Sequence, residues 1–561
     1  MTKEPWYWLN ENSRTFLARG YLAEGQTAED RVRKIGEAAE AILERPGFAD
    51  RIEEYVSKGW LSFSSPVWAN FGTDRGLPIS CFGSYIADDM SSILYTHAEV
   101  GMMSKHGGGT SAYFGDLRPR GAGISDFGSS NGPVTFTQLF ETMVNIVSQG
   151  KVRRGSFSPY MPIEHPDILE FLEIGTEGNP VQTLTHGVTV TDEWLQSMVD
   201  GDEERRAIWA RVIQRRGEMG YPYIIFIDNA NNNTVDVYKD KDLKIVASNL
   251  CSEIMLPSTA DWSFVCCLSS VNVLWYDDWK DTEFIEDATR LLDAVISEFC
   301  TKLEALRDHK DPDKRRAFFF MERAYNFAKS NRALGLGVLG YHSLLQSKQL
   351  AFDSEEAATL NVEVFKTIHE RSYAASEQMA KDYGEPEVLE GYGRRNTTTM
   401  AIAPTTSSAF ILGQVSQGIE PVWSNCYVKD LAKHKLTIKN PFLLELLEEK
   451  GKNDRETWNS IRDNDGSVQH LDCLSDEEKA VFRTFAEIDQ NVIIDKAAAR
   501  QPFIDQGQSL NVMVPPSVTP KDTNALYMRA WKGGVKALYY QHSMNAAQEL
   551  SRQKLAKKDA E

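Results

Sequence analysis

The stretch YPYIIFID, residues 221–228, runs from Tyr223 to Ile227 without a polar side chain and stops on Asp228. A short β-branched and aromatic run of this kind reads as a strand. NTTTMAIAP (396–404) reads the same way, whereas TFTQLFETMVNIVSQ (135–149) and FIEDATRLLDAVISEFCTKL (284–303) place apolar residues three and four apart, the spacing of amphipathic helices. Strands alternating with helices from about residue 61 to 545 predict an α/β architecture. Ahead of it, residues 1–60 read as a helical region: TAEDRVRKIGEAAEAILERPG (27–47) has a capping Thr27, helix formers and a Pro–Gly stop. Residues 546–561 are polar and read as a C-terminal tail.

Composition narrows the function classes. The 561-residue chain is 42% hydrophobic and 25% charged, the balance of a globular protein, with no opening signal segment and no apolar run long enough to span a bilayer. It is therefore expected to be cytoplasmic. A net charge of -19 argues against a nucleic-acid surface, since phosphate backbones are held by clustered Lys and Arg. Seven scattered cysteines form neither a secreted disulfide framework nor the CxxC pairs of a zinc site. GLGVLG (335–340) matches a dinucleotide fingerprint, but lacks the preceding strand and the acidic residue that complete such a unit, so close packing is the favoured reading.

Individual thiols then become the question. VASNLCSEIMLP (246–257) sets Cys251 between Asn249 and Glu253. An isolated cysteine is most often a small buried hydrophobe. In an extended strand or tight loop, however, the three side chains project to one side, and an amide, a thiol and a carboxylate sharing a pocket suit acid/base and sulfur chemistry on a polar substrate. Cys81 and the adjacent Cys266 and Cys267 are candidates to join them, while Cys300, Cys426 and Cys473 read as structural. APTTSSAF (403–410) offers hydroxyls and N–H groups in a turn after a strand-like run, and Gly107 to Gly109 permit close backbone approach to a ligand. Basic residues at 118, 120, 151, 153 and 154 hint at a locally held phosphate.

SNLCSEIMLP, CCLSSVN, QGKVRRGSFSPYMPIEHPDILEF, APTTSS, SQGIEP and GVKALYYQHS together resemble, in order, motifs of the catalytic large subunit of ribonucleotide reductase, over roughly residues 5 to 550. The resemblance implies a ten-stranded α/β barrel of two antiparallel half-barrels, with the Cys251 loop threaded through its centre. It implies that Cys251 becomes a thiyl radical, that Glu253 is the base on the ribose, that Asn249 bonds the sugar, and that Cys81 and Cys266 supply the reducing equivalents and end as a disulfide. Cys266 rather than Cys267 fits the family's Cys-x-Leu pattern. By the same resemblance, Ser65, Gly109, Thr406, Ser407 and Ser408 hold the substrate. Asp88, Arg118 and Ile124 keep the spacing of a deoxynucleoside triphosphate effector site at a dimer interface, and Gln149 and Arg153 read effector identity.

Tyr539 and Tyr540 resemble the class I pair that relays a radical from a separate metal-containing small subunit, so a partner protein and a homodimer of this chain are expected. The radical metal belongs to that partner, and no metal is expected on this chain. The sequence opens without room for the family's ATP-cone, and no cysteine follows Cys473, so an external thioredoxin- or glutaredoxin-like reductant is expected. The rival reading is a class II enzyme using adenosylcobalamin. A non-catalytic nucleotide-binding protein is disfavoured by the intact thiol, amide and carboxylate set.

Overall fold

A computed structural model describes residues 4–543 apart from Phe127, 150–153, Gln414, 432–433 and Pro516. Arg153 and residues 546–561 lie outside the described residues. Three helices lead the chain: α1 (Glu11–Ala18), α2 (Ala28–Leu43) and α3 (Phe48–Ser57). Thr27 caps α2 in a reciprocal capping box with Asp30, and the helix ends at Glu44 in a left-handed conformation just before Pro46. Val32, Ile35, Ala39 and Leu43 bury one face of it. These helices share one continuous core with the rest of the protein, running from Trp8 to Leu538.

The sheet at the centre has nine strands: β1 (Leu61–Phe63), β2 (Cys81–Tyr85), β3 (Gly109–Tyr113), β4 (Ser156–Pro162), β5 (Gly187–Val190), β6 (Tyr223–Phe226), β7 (Phe264–Asn272), β8 (Leu334–Leu339) and β9 (Ala537–Leu538). Strands β2 to β6 pair in sequence order and all parallel, joined by helical crossovers. At one side β7 joins β2 antiparallel, and β8 continues parallel to β7. At the other side β9 closes antiparallel on β6. Side-chain alternation divides the sheet into two faces. Ile224, Phe226 and Leu538 enter the main core, while Tyr223, Ile225, Ala537 and Tyr539 form a separate cluster with Tyr160 and Cys251. That second cluster is the interior in which the site is built.

Two local expectations meet the structure differently. Gly335 to Leu339 of GLGVLG lie in strand β8, and Gly340 caps the next helix. A Cβ on Gly335 would lie 2.5 Å from Leu268 and 2.9 Å from the Cys266 sulfur, and one on Gly337 would lie 3.0 Å from the Ala401 carbonyl, which is the close packing predicted. NTTTMAIAP is extended beside β8 but forms only single bridges, at Met400 and Ile402. The reason is a side chain: the Asp505 carboxylate accepts the N–H groups of Thr399 (2.6 Å) and Met400 (3.3 Å), leaving fewer for a ladder.

Buried ions tie this half together. Asp293, on the helix Phe284–Arg307, pairs with Arg332 and Arg395 at 2.9 Å each and accepts from Asn396 at 2.9 Å. Burial alone would raise its carboxyl, but the two guanidiniums hold it down to about 2.

Candidate active site

Residues 241–263 cross the interior with neither helix nor strand. A buried loop must satisfy its backbone by other means, and this one uses side chains. The Asn249 side-chain Oδ1 accepts from the N–H groups of Glu253 (3.1 Å) and Ile254 (3.2 Å), and Ser248 Oγ donates to the Ile254 carbonyl at 2.8 Å. Tyr160 from β4 and Ser111 from β3 donate to the carbonyls of Asn249 (2.6 Å) and Ser248 (2.8 Å). Ser252 completes the turn at φ 67°. Of the two conformations anticipated for this stretch, it is thus the tight loop. Asn249, Cys251 and Glu253 are gathered by a turn closed on Asn249, and strand alternation plays no part.

The dithiol stands beside this turn. Cys81 opens β2 and Cys266 lies on β7, and they are direct Cα partners across the antiparallel seam, so their side chains share a face. Cys267 points to the opposite face and pairs in register with Leu334. The Asn249 amide donates to Cys81 Sγ at 3.5 Å, linking turn and dithiol. All seven cysteines are free thiols. Burial pushes the Cys266 thiol well up, and Gln506, donating to its sulfur at 3.4 Å, opposes the rise. Burial also lifts the Glu253 carboxyl to about 7, against hydrogen bonds that favour its charged form, including one from Ser509 at 3.2 Å. Tyr539 is in hydrogen-bonding reach of Cys251, and burial first, then that neighbour, raises its phenol. Its ring lies 4.4 Å from Tyr540 and 4.8 Å from Tyr223, centroid to centroid.

The other predicted residues fall into two groups. Thr406, Ser407 and Ser408 form the first turn of the short helix Thr406–Ile411, which follows Thr405 at φ 56°. Ser65 begins the helix Ser65–Asn70 and shares a 3.2 Å hydrogen bond with Tyr21. Tyr21 stacks on Phe16, which packs on Phe410, so the N-terminal helices bring these two hydroxyl groups to one end of the site. Gly109 is the Cα partner of both Cys81 and Ser156, but its own N–H is taken by the Ser80 carbonyl at 2.7 Å. Elsewhere, Arg118 donates to Asp88 at 2.8 Å and to the Gly123 carbonyl at 2.9 Å, beside exposed Ile124 in a two-residue hairpin with Gly128. Gln149 reaches back to Asn70 at 3.1 Å from the segment between the two groups.

Sequence reasoning passed over Gln506 and Ser509. Gln506 donates to Cys266 and accepts from the Met255 N–H at 3.0 Å, while Ser509 donates to the Cys251 carbonyl at 2.6 Å as well as to Glu253. A signal existed in IDQGQSLN (504–511), a mostly polar stretch leading straight into the apolar VMV (512–514). Tyr160 and Tyr223, both fully buried, carried no such signal in sequence.

Three thiols, a carboxyl raised by burial and a buried tyrosine lie together beside the central mixed sheet, a set of groups able to carry sulfur redox chemistry. The chain belongs to the ribonucleotide reductase family, as a large subunit: residues 79–205, 196–391 and 386–541 match the family described as ribonucleotide reductase, barrel domain. A solved structure, the Actinobacillus ureae class Id ribonucleotide reductase alpha subunit, is 54% identical, with a TM-score of 0.90 over 97% of this chain and 99% of that one. The ribonucleoside-diphosphate reductase large subunit assigned to Frog virus 3 (isolate Goorha) is 36% identical over 515 residues, 88% of each chain. That of Invertebrate iridescent virus 3 is 32% identical over 569 residues, 88% of this chain and 87% of its own. The protein is thus an enzyme of deoxyribonucleotide synthesis. Among the described residues, no helix is long and apolar enough to cross a membrane.

Proposed function

We propose that this chain reduces ribonucleoside diphosphates by radical chemistry begun at Cys251. The observation that carries the reading is the alignment of Tyr539, Cys251, Glu253, Asn249 and the facing Cys81 and Cys266 around one buried turn. An oxidising equivalent reaching Tyr539 takes a hydrogen atom from the Cys251 thiol. The thiyl radical removes a ribose hydrogen, Glu253 takes a hydroxyl proton, and a second hydroxyl leaves as water. Cys81 and Cys266 give up two electrons and two protons and become a disulfide, which an external thioredoxin- or glutaredoxin-like dithiol reduces. Substrate phosphate lies against Thr406, Ser407, Ser408 and Ser65. A deoxynucleoside triphosphate or ATP effector sits at Asp88, Arg118 and Ile124 of a homodimer, with Gln149 on the path between effector and substrate.

The fold supporting this is read as two half-barrels, with β7, β8 and the bridged segments at 400–402 and 508 forming the second. The radical comes from a metal-containing small subunit. Its dock is the groove of about 1180 Å³ between the helices Glu203–Met219 and Pro520–Lys532. Trp209, Ile213 and Val518 line the groove, and Gln541, next to Tyr540, opens into it.

The test is turnover of CDP with dithiothreitol, supplying either the small subunit or adenosylcobalamin. Product is expected only with the small subunit. Turnover with cobalamin alone would overturn the reading in favour of a class II enzyme.

A further inference from the structure

Beyond Tyr540 the aromatic contacts continue toward the surface. The His542 ring lies 5.7 Å from Tyr540 and 4.5 Å from Trp423, and Trp423 is 36% exposed. Trp423 Nε1–H donates to Glu420 Oε2 at 3.1 Å. The Asn511 side-chain amide donates to the other oxygen of Glu420, and its Oδ1 accepts the Tyr540 N–H at 3.1 Å. One buried carboxyl therefore holds both the exposed indole and, through Asn511, the backbone of Tyr540. Glu420 is 6% exposed, and Trp423 and Asn511 are both neutral donors. A carboxylate kept from water beside neutral partners is costly and takes up a proton readily.

We propose that Trp423 is where the oxidising equivalent enters this chain, and that Glu420 accepts the indole proton as it does so. The inference rests on the Tyr539–Tyr540 relay proposed above and extends it to the surface. In the step, the one-electron oxidant of the radical-generating subunit takes an electron from Trp423. The Nε1 proton crosses to Glu420, leaving an indolyl radical and a neutral carboxylic acid. Tyr540 then returns an electron to Trp423, by way of the intervening imidazole. Glu420 gives its proton back to Nε1, and the Tyr540 phenolic proton passes to water in the adjoining cavity of about 640 Å³, which Tyr540, Thr185 and Asn145 line. Charge and protons balance, and Trp423 and Glu420 end as they began. Burial lifts the Glu420 carboxyl to about 7, near the value at which a group both takes and returns a proton.

The complex of this chain with its small subunit, substrate and effector provides the test, with the small subunit saturating. Trp423→Phe is expected to lower turnover at least about tenfold while small-subunit affinity stays within about twofold, and Trp423→Tyr, which can still be oxidised, is expected to recover part of the loss. Glu420→Gln, keeping shape and hydrogen bonds but not the proton acceptor, is expected to lose turnover comparably. Full activity in Trp423→Phe, or a loss that excess small subunit restores, would overturn the entry role. Full activity in Glu420→Gln would overturn the proton role. Tyr540→Phe separates the two levels: if it stays active the relay itself fails, whereas an inactive Tyr540→Phe beside an active Trp423→Phe removes only this extension.

Discussion

At the scale of single residues, burial against hydrogen bonding decides the chemistry. Glu253 is fully enclosed, so its carboxyl rises to about 7 even though Asn249 and Ser509 favour the charged form. A base must be ionised to act, so kcat/KM is expected to climb with unit slope as pH passes through about 7 and then level off. Glu253→Gln should lose that limb together with most of the activity, which a pH–rate profile checks. The raised value also has a stability consequence. The contribution is intact below the ordinary carboxyl range and is lost as pH rises through about 7, so melting temperatures should show wild type losing ground to Glu253→Gln across that interval. Cys251 is only half-buried, so Cys251→Ala is expected to cost under about 1 kcal/mol in urea unfolding while turnover falls at least about a thousandfold.

Among elements, the seam where β7 meets β2 antiparallel carries most of the consequence. It sets Cys81 opposite Cys266, and β8 must lie close behind with glycine at 335. Gly335→Ala places a methyl 2.5 Å from Leu268 and 2.9 Å from the Cys266 sulfur, so a loss of about 1–3 kcal/mol in denaturant unfolding and slower turnover are expected. Asp293 joins three elements through Arg332, Arg395 and Asn396. Asp293→Asn is expected to cost about 3–5 kcal/mol, since it takes the carboxylate from the buried Arg332 and the part-buried Arg395. In the wild type this carboxyl sits below its unfolded value, so its contribution is complete at neutral pH and is lost as pH falls toward 2, an interval acid titration monitored by circular dichroism covers.

For the whole molecule, the site depends on distant parts of the chain. The loop at 248–255 is held by Ser111, Tyr160, Gln506 and Ser509, from segments up to 258 residues away. The groove into which Gln541 opens adjoins Tyr540, and it is the dock proposed for the small subunit. Ile213→Asp, on the wall of that groove, is expected to weaken small-subunit binding at least about tenfold, measured by titration calorimetry.

The sequence by itself determined the α/β alternation, the Thr27 cap, the packing role of GLGVLG and the family, because each is written in local spacing or in motifs read in order. It also singled out Asn249, Cys251 and Glu253 as a group. Only the tertiary structure decided how they are grouped: a turn with Ser252 at positive φ, closed by the Asn249 side chain. The same holds for NTTTMAIAP, whose strand pattern is intact but whose ladder is thinned by Asp505, a carboxylate 105 and 106 residues further along. Gln506, Ser509 and Tyr160 matter because of what they touch across the interior, and a one-dimensional pattern of polarity holds no distances. Local periodicity reports which way a side chain faces, and the partner it faces is set by long-range closure of the sheet.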